Sequence, residues 1–388
     1  MQLKNVNDNE YNNEYNNEYN GTRVVEDRLE MAKKRKRNKN ITSILIMFGC
    51  VLVLVLVTYA AGVAYMWIDD KFQESANDLA AAADAELNGA PVTYSQAELD
   101  EAVTAAKGEA TEELLGKIKT ALSSGDLTMV EMLRPLYEDE LVVVSNGKFN
   151  FIPIQESLKK HAYVKENLQI LESGEYTYAE NGKVTSHKGI DVSKFQGEID
   201  WEAVAADGVE FAFIRVGYRG YGAEGKLLED DRFEENIEGA LQAGIKVGVY
   251  FYTQALNEEE LLEEANFVLE KIAPYKIECP VVYDVEKVSG ADGRMNSLSL
   301  EERTNLTLLF CQTIEAAGYK PMVYFNMEMA TLMLDLETLE NYDKWLASYS
   351  SDMYYPYDYK IWQYSHKGRV NGIEGDVDMN IAFEAVWE

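Results

Sequence analysis

Polar positions dominate the first 40 residues, where an Asn-Glu-Tyr repeat sets Tyr11, Tyr15 and Tyr19 at a fixed spacing inside an Asn-rich tract. With so few aliphatic residues the tract cannot bury a core and is expected to be a disordered tail. It is either a docking or phosphorylation site for a cytoplasmic partner or a plain polar tail. The pattern then inverts. A basic cluster, Lys33, Lys34, Arg35, Lys36, Arg37 and Lys39, precedes an uncharged apolar run over 41–68, and Asp69 and Asp70 follow it. The run exceeds the roughly 20 residues that cross a bilayer. Its charge asymmetry predicts a single-pass transmembrane helix with the N-terminus in the cytoplasm and the rest of the chain outside the cell membrane. A cleaved signal peptide is the competing reading, because small residues occupy 58–64; either way the remainder is exported.

Over 69–140 the chain is rich in Ala, Glu and Leu, and Ser95 with Glu98 supplies a capping box after Pro91. Leu99, Val103, Ala106, Ala110, Leu114, Ile118 and Leu122 recur every three to four positions, the stripe of a helical stalk. The stripe suits a short coiled coil and packing against the chain itself equally well. Between 141 and 186 short β-rich runs take over, with turn signals at Asn146-Gly147 and Asn181-Gly182. These predict a small adaptor module. From residue 187 apolar runs alternate with amphipathic stretches, the pattern of parallel βα units. Strands are expected over 189–193, 210–218, 246–253, 280–286, 320–325, 344–349, 359–364 and 377–382, with helices in the first five gaps, among them 258–272 and 300–317. The fold class is therefore α/β: an irregular barrel of eight strands, five βα units and then three strands. The expected segments are tail 1–40, transmembrane helix 41–68, stalk 69–140, adaptor 141–186 and barrel 187–388.

Composition narrows the chemistry. The 388 residues carry 36 basic and 67 acidic side chains, a net charge of -31, so no phosphate-neutralising excess exists and nucleic acid is not an expected partner. Cys50, Cys279 and Cys311 form no disulfide framework by spacing. Cys279 and Cys311 would pair if their elements were neighbours, but buried thiols are the simpler expectation. With His161, His187 and His366 as the three histidines, a His-based metal site or a Ser-His-Asp triad has few candidates, and no metal or cofactor is expected. Carboxylate chemistry remains.

Its centre is Pro280-Val-Val-Tyr-Asp-Val-Glu286. Strand alternation points Val282, Asp284 and Glu286 to one face and Val281, Tyr283 and Val285 to the other. An acid pair at the end of a buried strand is costly unless solvent or a ligand meets it there. Barrel closure would bring Asp191 on the first strand beside Asp378 on the eighth, and crowded carboxylates raise one another's pKa, which keeps a general acid protonated near neutral pH. Tyr218, Tyr252, Tyr324, Tyr349 and Trp362 are expected at the same rim, where flat faces suit sugar rings. Trp345 and Tyr364 are better read as core. Of Trp362 and Gln363, one must face the pocket.

Five separated motifs then resemble one family in order: Gly189-Ile-Asp-Val-Ser-Lys-Phe-Gln-Gly197 with Ile199-Asp-Trp201, Gly248-Val-Tyr-Phe-Tyr252, Tyr283-Asp-Val-Glu286, Ile361-Trp-Gln-Tyr364 and Val377-Asp-Met-Asn380. They are similar to the series of family 25 glycoside hydrolases, the Chalaropsis-type lysozymes that act as N-acetylmuramidases. The resemblance implies Glu286 as general acid/base with Asp191, Asp284 and Asp378 supporting it, Tyr252, Tyr324, Trp362 and Gln363 at the sugar subsites, and peptidoglycan glycan strands as the substrate. Phe251 departs from the family pattern, in which many members place a polar residue or His. The same-face spacing of Asp284 and Glu286 favours substrate-assisted retention, with Asp284 orienting the 2-acetamido group; inversion through a water held by Asp191 or Asp378 is the alternative. A wall-binding scaffold without activity, or a hydrolase of another acetamido-sugar polymer, would share these features.

Overall fold

In a computed structural model the described residues are 95–124, 128–288 and 293–387. The chain divides into two compact units, Met1–Lys117 and Ile118–Glu388. The tail, the 41–68 run and the first part of the stalk lie outside the described residues. Among the described residues no helix is long and apolar enough to cross a membrane.

The stalk pattern appears as one 29-residue helix, Gln96–Ser124. Its start is the expected capping box, with the Ser95 amide donating to Glu98 Oε2 at 2.8 Å. Stripe positions Leu99, Val103, Ala106, Ala110, Leu114 and Ile118 are half-buried, while most of the helix surface is exposed.

Residues 140–186 form a hairpin of β1 (Glu140–Ser145) and β2 (Lys148–Pro153), then a three-stranded sheet of β3 (Leu168–Ile170), β4 (Tyr176–Glu180) and β5 (Lys183–Val184). Asn146 and Gly147 take φ of 50° and 73°, the left-handed pair that a two-residue hairpin turn requires. This segment, expected as an adaptor module, shares a continuous core with the barrel: Leu141, Val143, Leu158 and Tyr178 are buried in the same cluster as the outward side chains of the barrel strands.

The barrel strands are β6 (His187–Val192), β7 (Phe211–Arg219), β9 (Lys246–Tyr252), β10 (Val281–Asp284), β11 (Pro321–Asn326), β12 (Asp343–Ala347), β13 (Ile361–Gly368) and β14 (Val377–Ala382); β8 (Leu227–Glu229) extends β7 as a hairpin strand that the sequence pattern did not signal. The ring closes because β6 pairs with both β7 and β14. The strands from β6 round to β13 run parallel, and β14 is antiparallel to both its neighbours, so the regular alternation ends where the gap lengths require. Helices fill four gaps (Trp201–Ala206, Phe233–Gln242, Glu258–Ile272 and Leu300–Ala316). The fifth gap, expected to be helical, holds only a five-residue π-helical turn, Met329–Met333. About 16 residues separate β11 from β12, and the extended run that begins at Leu334 uses the rest of them.

Alternation sorts the barrel into two cores. Phe211, Phe213, Val282, Met322, Trp345, Ile361 and Ala382 fill the lumen. Val281, Tyr283, Val285 and the helix side chains form the outer layer. Glycine is needed at two lumen positions: a Cβ at Gly189 would lie 2.1 Å from the Phe211 ring, and one at Gly248 would lie 2.4 Å from the Phe213 ring. These two rings close the barrel floor, so the cavity opens only above them, toward the strand ends.

Candidate active site

The floor is roofed by polar residues in register. Asp284, the last residue of β10, pairs with Tyr252 on β9 and Tyr324 on β11; Asp191 on β6 pairs with Asp378 on β14; Gln363 on β13 pairs with Asn380 on β14. These ladder positions bring six strands to one cavity of about 670 Å³, whose lining includes Asp191, Asp284, Glu286 and Asp378. Glu286 lies two residues beyond the end of β10 and keeps the inward phase of Val282 and Asp284.

Asp191 is tightly held. Gln363 Nε2 and Asn380 Nδ2 each donate to its Oδ2 at 2.8 Å. Trp345 Nε1 donates to Asn380 Oδ1 at 2.8 Å, and the Tyr324 and Tyr349 hydroxyls donate to Gln363 Oε1 at 2.9 and 2.7 Å. The chain of donors fixes both amides, so Asp191 is an anchored acceptor. Asp284 contrasts with it: it is 7% exposed, and its Oδ1 is buried without a hydrogen-bond partner.

Burial and crowding raise every acid here. Desolvation first, then the Asp191 charge, pushes Glu286 up to about 7, while the nearby Tyr324 hydroxyl pulls it partly back. Burial also raises Asp284 well above the ordinary carboxylate range, with Glu286 and Asp191 adding repulsion and Arg215 opposing it. Asp378 is pushed up to about 8 by burial and by Asp191, with which it shares a hydrogen bond, and Asp191 to about 6 by burial. The four acids titrate as a set and retain protons near neutral pH. Such a cluster can deliver a proton to a leaving group at a pH where an exposed carboxyl is fully ionised.

The aromatic expectations divide. Tyr218, Tyr252, Tyr324 and Tyr349 line the cavity, and Trp345, buried in the lumen core as expected, also borders it. Trp362 does not, and its placement at the rim is corrected. Its ring packs edge-on to Tyr176 of β4 at 5.4 Å, and its Nε1 donates to Ser348 O at 2.7 Å. Gln363 holds the inward phase, so its neighbour must face outward, where Tyr176 and the stacked Tyr364 enclose it. Phe251, the departure from the family pattern, also faces outward, against Phe267.

Sequence reasoning missed Arg215, Tyr250, Lys194, Phe195 and Tyr221 in the lining, and Asn380 as the second amide on Asp191. Arg215 carried a signal: it follows Phe211 and Phe213 at period two, a lone cation on a lumen-facing phase. Its Nε donates to Asp230 Oδ2 at 2.7 Å, and its guanidinium lies 5.1 Å from the Phe195 ring centre. Phe195, 77% exposed, and Tyr221, 53% exposed with its hydroxyl 3.2 Å from that of Tyr252, leave flat faces at the mouth. Cys279 and Cys311 are both buried free thiols, and burial pushes Cys279 up to about 12.

Fold and site together define an α/β barrel with a carboxylate-centred, aromatic-rimmed cleft. Residues 190–373 match the family described as Glycosyl hydrolases family 25. The autolytic lysozyme of Clostridium acetobutylicum is 28% identical over 200 residues, covering 51% of this chain and 56% of that protein. Lysozyme M1 of Streptomyces globisporus is 29% identical over 205 residues, covering 50% and 66%. Among solved structures, the modular autolysin LytC of Streptococcus pneumoniae, in complex with a synthetic peptidoglycan ligand, overlays with a TM-score of 0.46 at 24% identity over 63% of this chain and 57% of that one. The chain thus spans little more than half the length of the autolytic lysozyme.

Proposed function

We propose that this chain is a peptidoglycan hydrolase that cleaves the β-1,4 bond between N-acetylmuramic acid and N-acetylglucosamine. The observation that carries the proposal is the inward pair Asp284 and Glu286 among carboxyls whose pKa values all lie above the ordinary range. The family match over 190–373 and the likeness to the two lysozymes above support the substrate class.

Glu286, protonated up to about pH 7, donates its proton to the leaving glycosidic oxygen and then takes one from the incoming water. In the empty cavity burial and mutual repulsion raise both Asp284 and Glu286 above the ordinary carboxylate range. The substrate separates their roles. A 2-acetamido N–H donated to Asp284 favours the ionised form, with Arg215 acting in the same direction, so the proton is left on Glu286. Asp284 then polarises the acetamido group, whose oxygen attacks the anomeric carbon. Asp191 is already committed to two amides and makes a poor base for inversion. Binding alone would not need a protonated carboxyl beside a second acid, which disfavours a scaffold role.

The charge asymmetry around 41–68 supports a single-pass anchor, N-terminus in the cytoplasm, with this site facing the wall. The Asn-Glu-Tyr repeat would then be available to a cytoplasmic partner. Glu286→Gln tests the chemistry: reducing-end release from purified peptidoglycan should fall by about 10³. Proton NMR of the first product should show the β-anomer. Equal release by wild type and variant would overturn the proposal, and an initial α-product would overturn retention.

A further inference from the structure

Glu286 lies past the last ladder residue of β10, outside any regular element, yet a general acid must be held to within a fraction of an ångström. On its N-terminal side the strand still serves: the Val285 amide donates to Tyr324 O at 3.1 Å. On its C-terminal side part of the restraint comes from outside the matched segment 190–373. Lys287, pointing away from the cavity, places Nζ 2.5 Å from Glu328 Oε1, 2.9 Å from Asn146 Oδ1 and 3.4 Å from Ser145 Oγ. Ser145 Oγ itself donates to Glu328 Oε1 at 2.5 Å. Ser145 and Asn146 form the tip of the β1–β2 hairpin, some 45 residues before the matched segment begins.

The hairpin is well placed to act as a fixed post. Leu141, Val142 and Val143 are buried, the Val142 amide donates to Tyr354 Oη at 2.7 Å, and the Gln155 amide donates to Tyr357 Oη at 2.8 Å. The left-handed φ of Asn146 turns its side-chain oxygen toward Lys287. Glu328 comes from the turn after β11, so the cluster ties the exits of β10 and β11 to the hairpin tip. Lys287 is not among the charges that shift Glu286.

We infer that the β1–β2 hairpin is a positioning element for Glu286: Ser145 and Asn146, with Glu328, fix Lys287 and so hold the acid at the rim. Residues 140–153 are then a working part of the site, and residues 190–373 alone would form an incomplete one. The inference rests on the role proposed for Glu286.

The test is Ser145→Ala with Asn146→Gly in the full chain; glycine preserves the left-handed turn while removing the acceptor. Muramidase kcat should fall about tenfold with KM within about twofold, and Asn146→Asp, which keeps an oxygen toward Lys287, should retain wild-type kcat. A kcat within twofold of wild type, or an Asn146→Asp loss equal to that of Asn146→Gly, overturns the inference. Hydrogen exchange supplies a reading independent of activity. The Val285 and Val288 amides, hydrogen-bonded to Tyr324 O and Asn296 Oδ1, should exchange about fivefold faster in the double variant. Unchanged exchange overturns the positioning role even if the wild type proves inactive, a result that would count against the proposed function alone.

Discussion

Strand β10 has buried polar groups on both faces, and the two faces handle them in opposite ways. Outward, the Tyr283 hydroxyl lies 2.7 Å from Thr253 Oγ1, which donates to Glu264 Oε2 at 2.7 Å, and Arg219 Nε donates to Glu264 Oε1 at 2.7 Å. Arg219 also donates to the carbonyls of Gly225 and Glu260, so both charges are paired and hydrogen-bonded. Inward, Asp284 keeps an oxygen with no partner and is crowded by three further acids. Burial pushes Glu264 up to about 7, much as it does Glu286, so pKa alone does not distinguish the faces. Satisfaction does. A closed network holds the helix Glu258–Ile272 on the sheet, whereas an open one leaves capacity for a ligand.

Breaking the closed side should give the largest effect on stability. Glu264→Ala leaves Arg219 buried without its main partner and should cost about 3 kcal/mol in a urea titration. A loss under about 1 kcal/mol would mean that the outer network contributes little, and the contrast between the faces would collapse.

The open side should respond with the reverse sign. Asp378, ordinarily ionised above pH 4, is held protonated to about pH 8 in the folded state. Between those values the folded chain binds a proton that the unfolded chain has lost, so stability falls as pH rises through this window. Asp378→Asn takes one carboxyl out of the set and flattens that slope. Its Tm should gain on wild type from pH 4.5 to pH 8, by about 2–4 °C for each kcal/mol recovered, while activity is lost. A Tm difference that stays constant with pH would show that the cluster is not strained by charge.

The smallest change should come from the aromatic pair that sequence reasoning placed together. Tyr252→Ala, at the cavity, should raise KM about tenfold, whereas Trp362→Phe, behind the sheet, should leave KM within about twofold and lower only Tm. Equal KM effects would mean that β13 presents Trp362 and not Gln363 to the ligand.

Much of the barrel is legible in the chain because period-two alternation and gap length are local properties. The inward phase of Val282, Asp284 and Glu286 and the approach of Asp191 to Asp378 follow from them, whereas the fifth βα unit that gap length suggested has no α-helix. The signal weakens wherever two faces are equally apolar. In β13 both neighbours of a period-two choice were aromatic or polar enough to line a pocket, and Trp362 was misplaced because the sheet carrying Tyr176, which covers it, comes from a segment read as a separate module.

By itself, then, the sequence determined the strand order, the acids that share a face and their likeness to a known motif series, all carried by spacing along one chain. The tertiary structure decided what spacing cannot encode: which of Trp362 and Gln363 faces the lumen, which carboxylate is committed to amide donors and which is left open, and that the tip of a hairpin some 140 residues upstream meets Lys287. Those outcomes depend on contacts between distant segments, whose geometry is fixed only when the barrel closes and its outer layer packs.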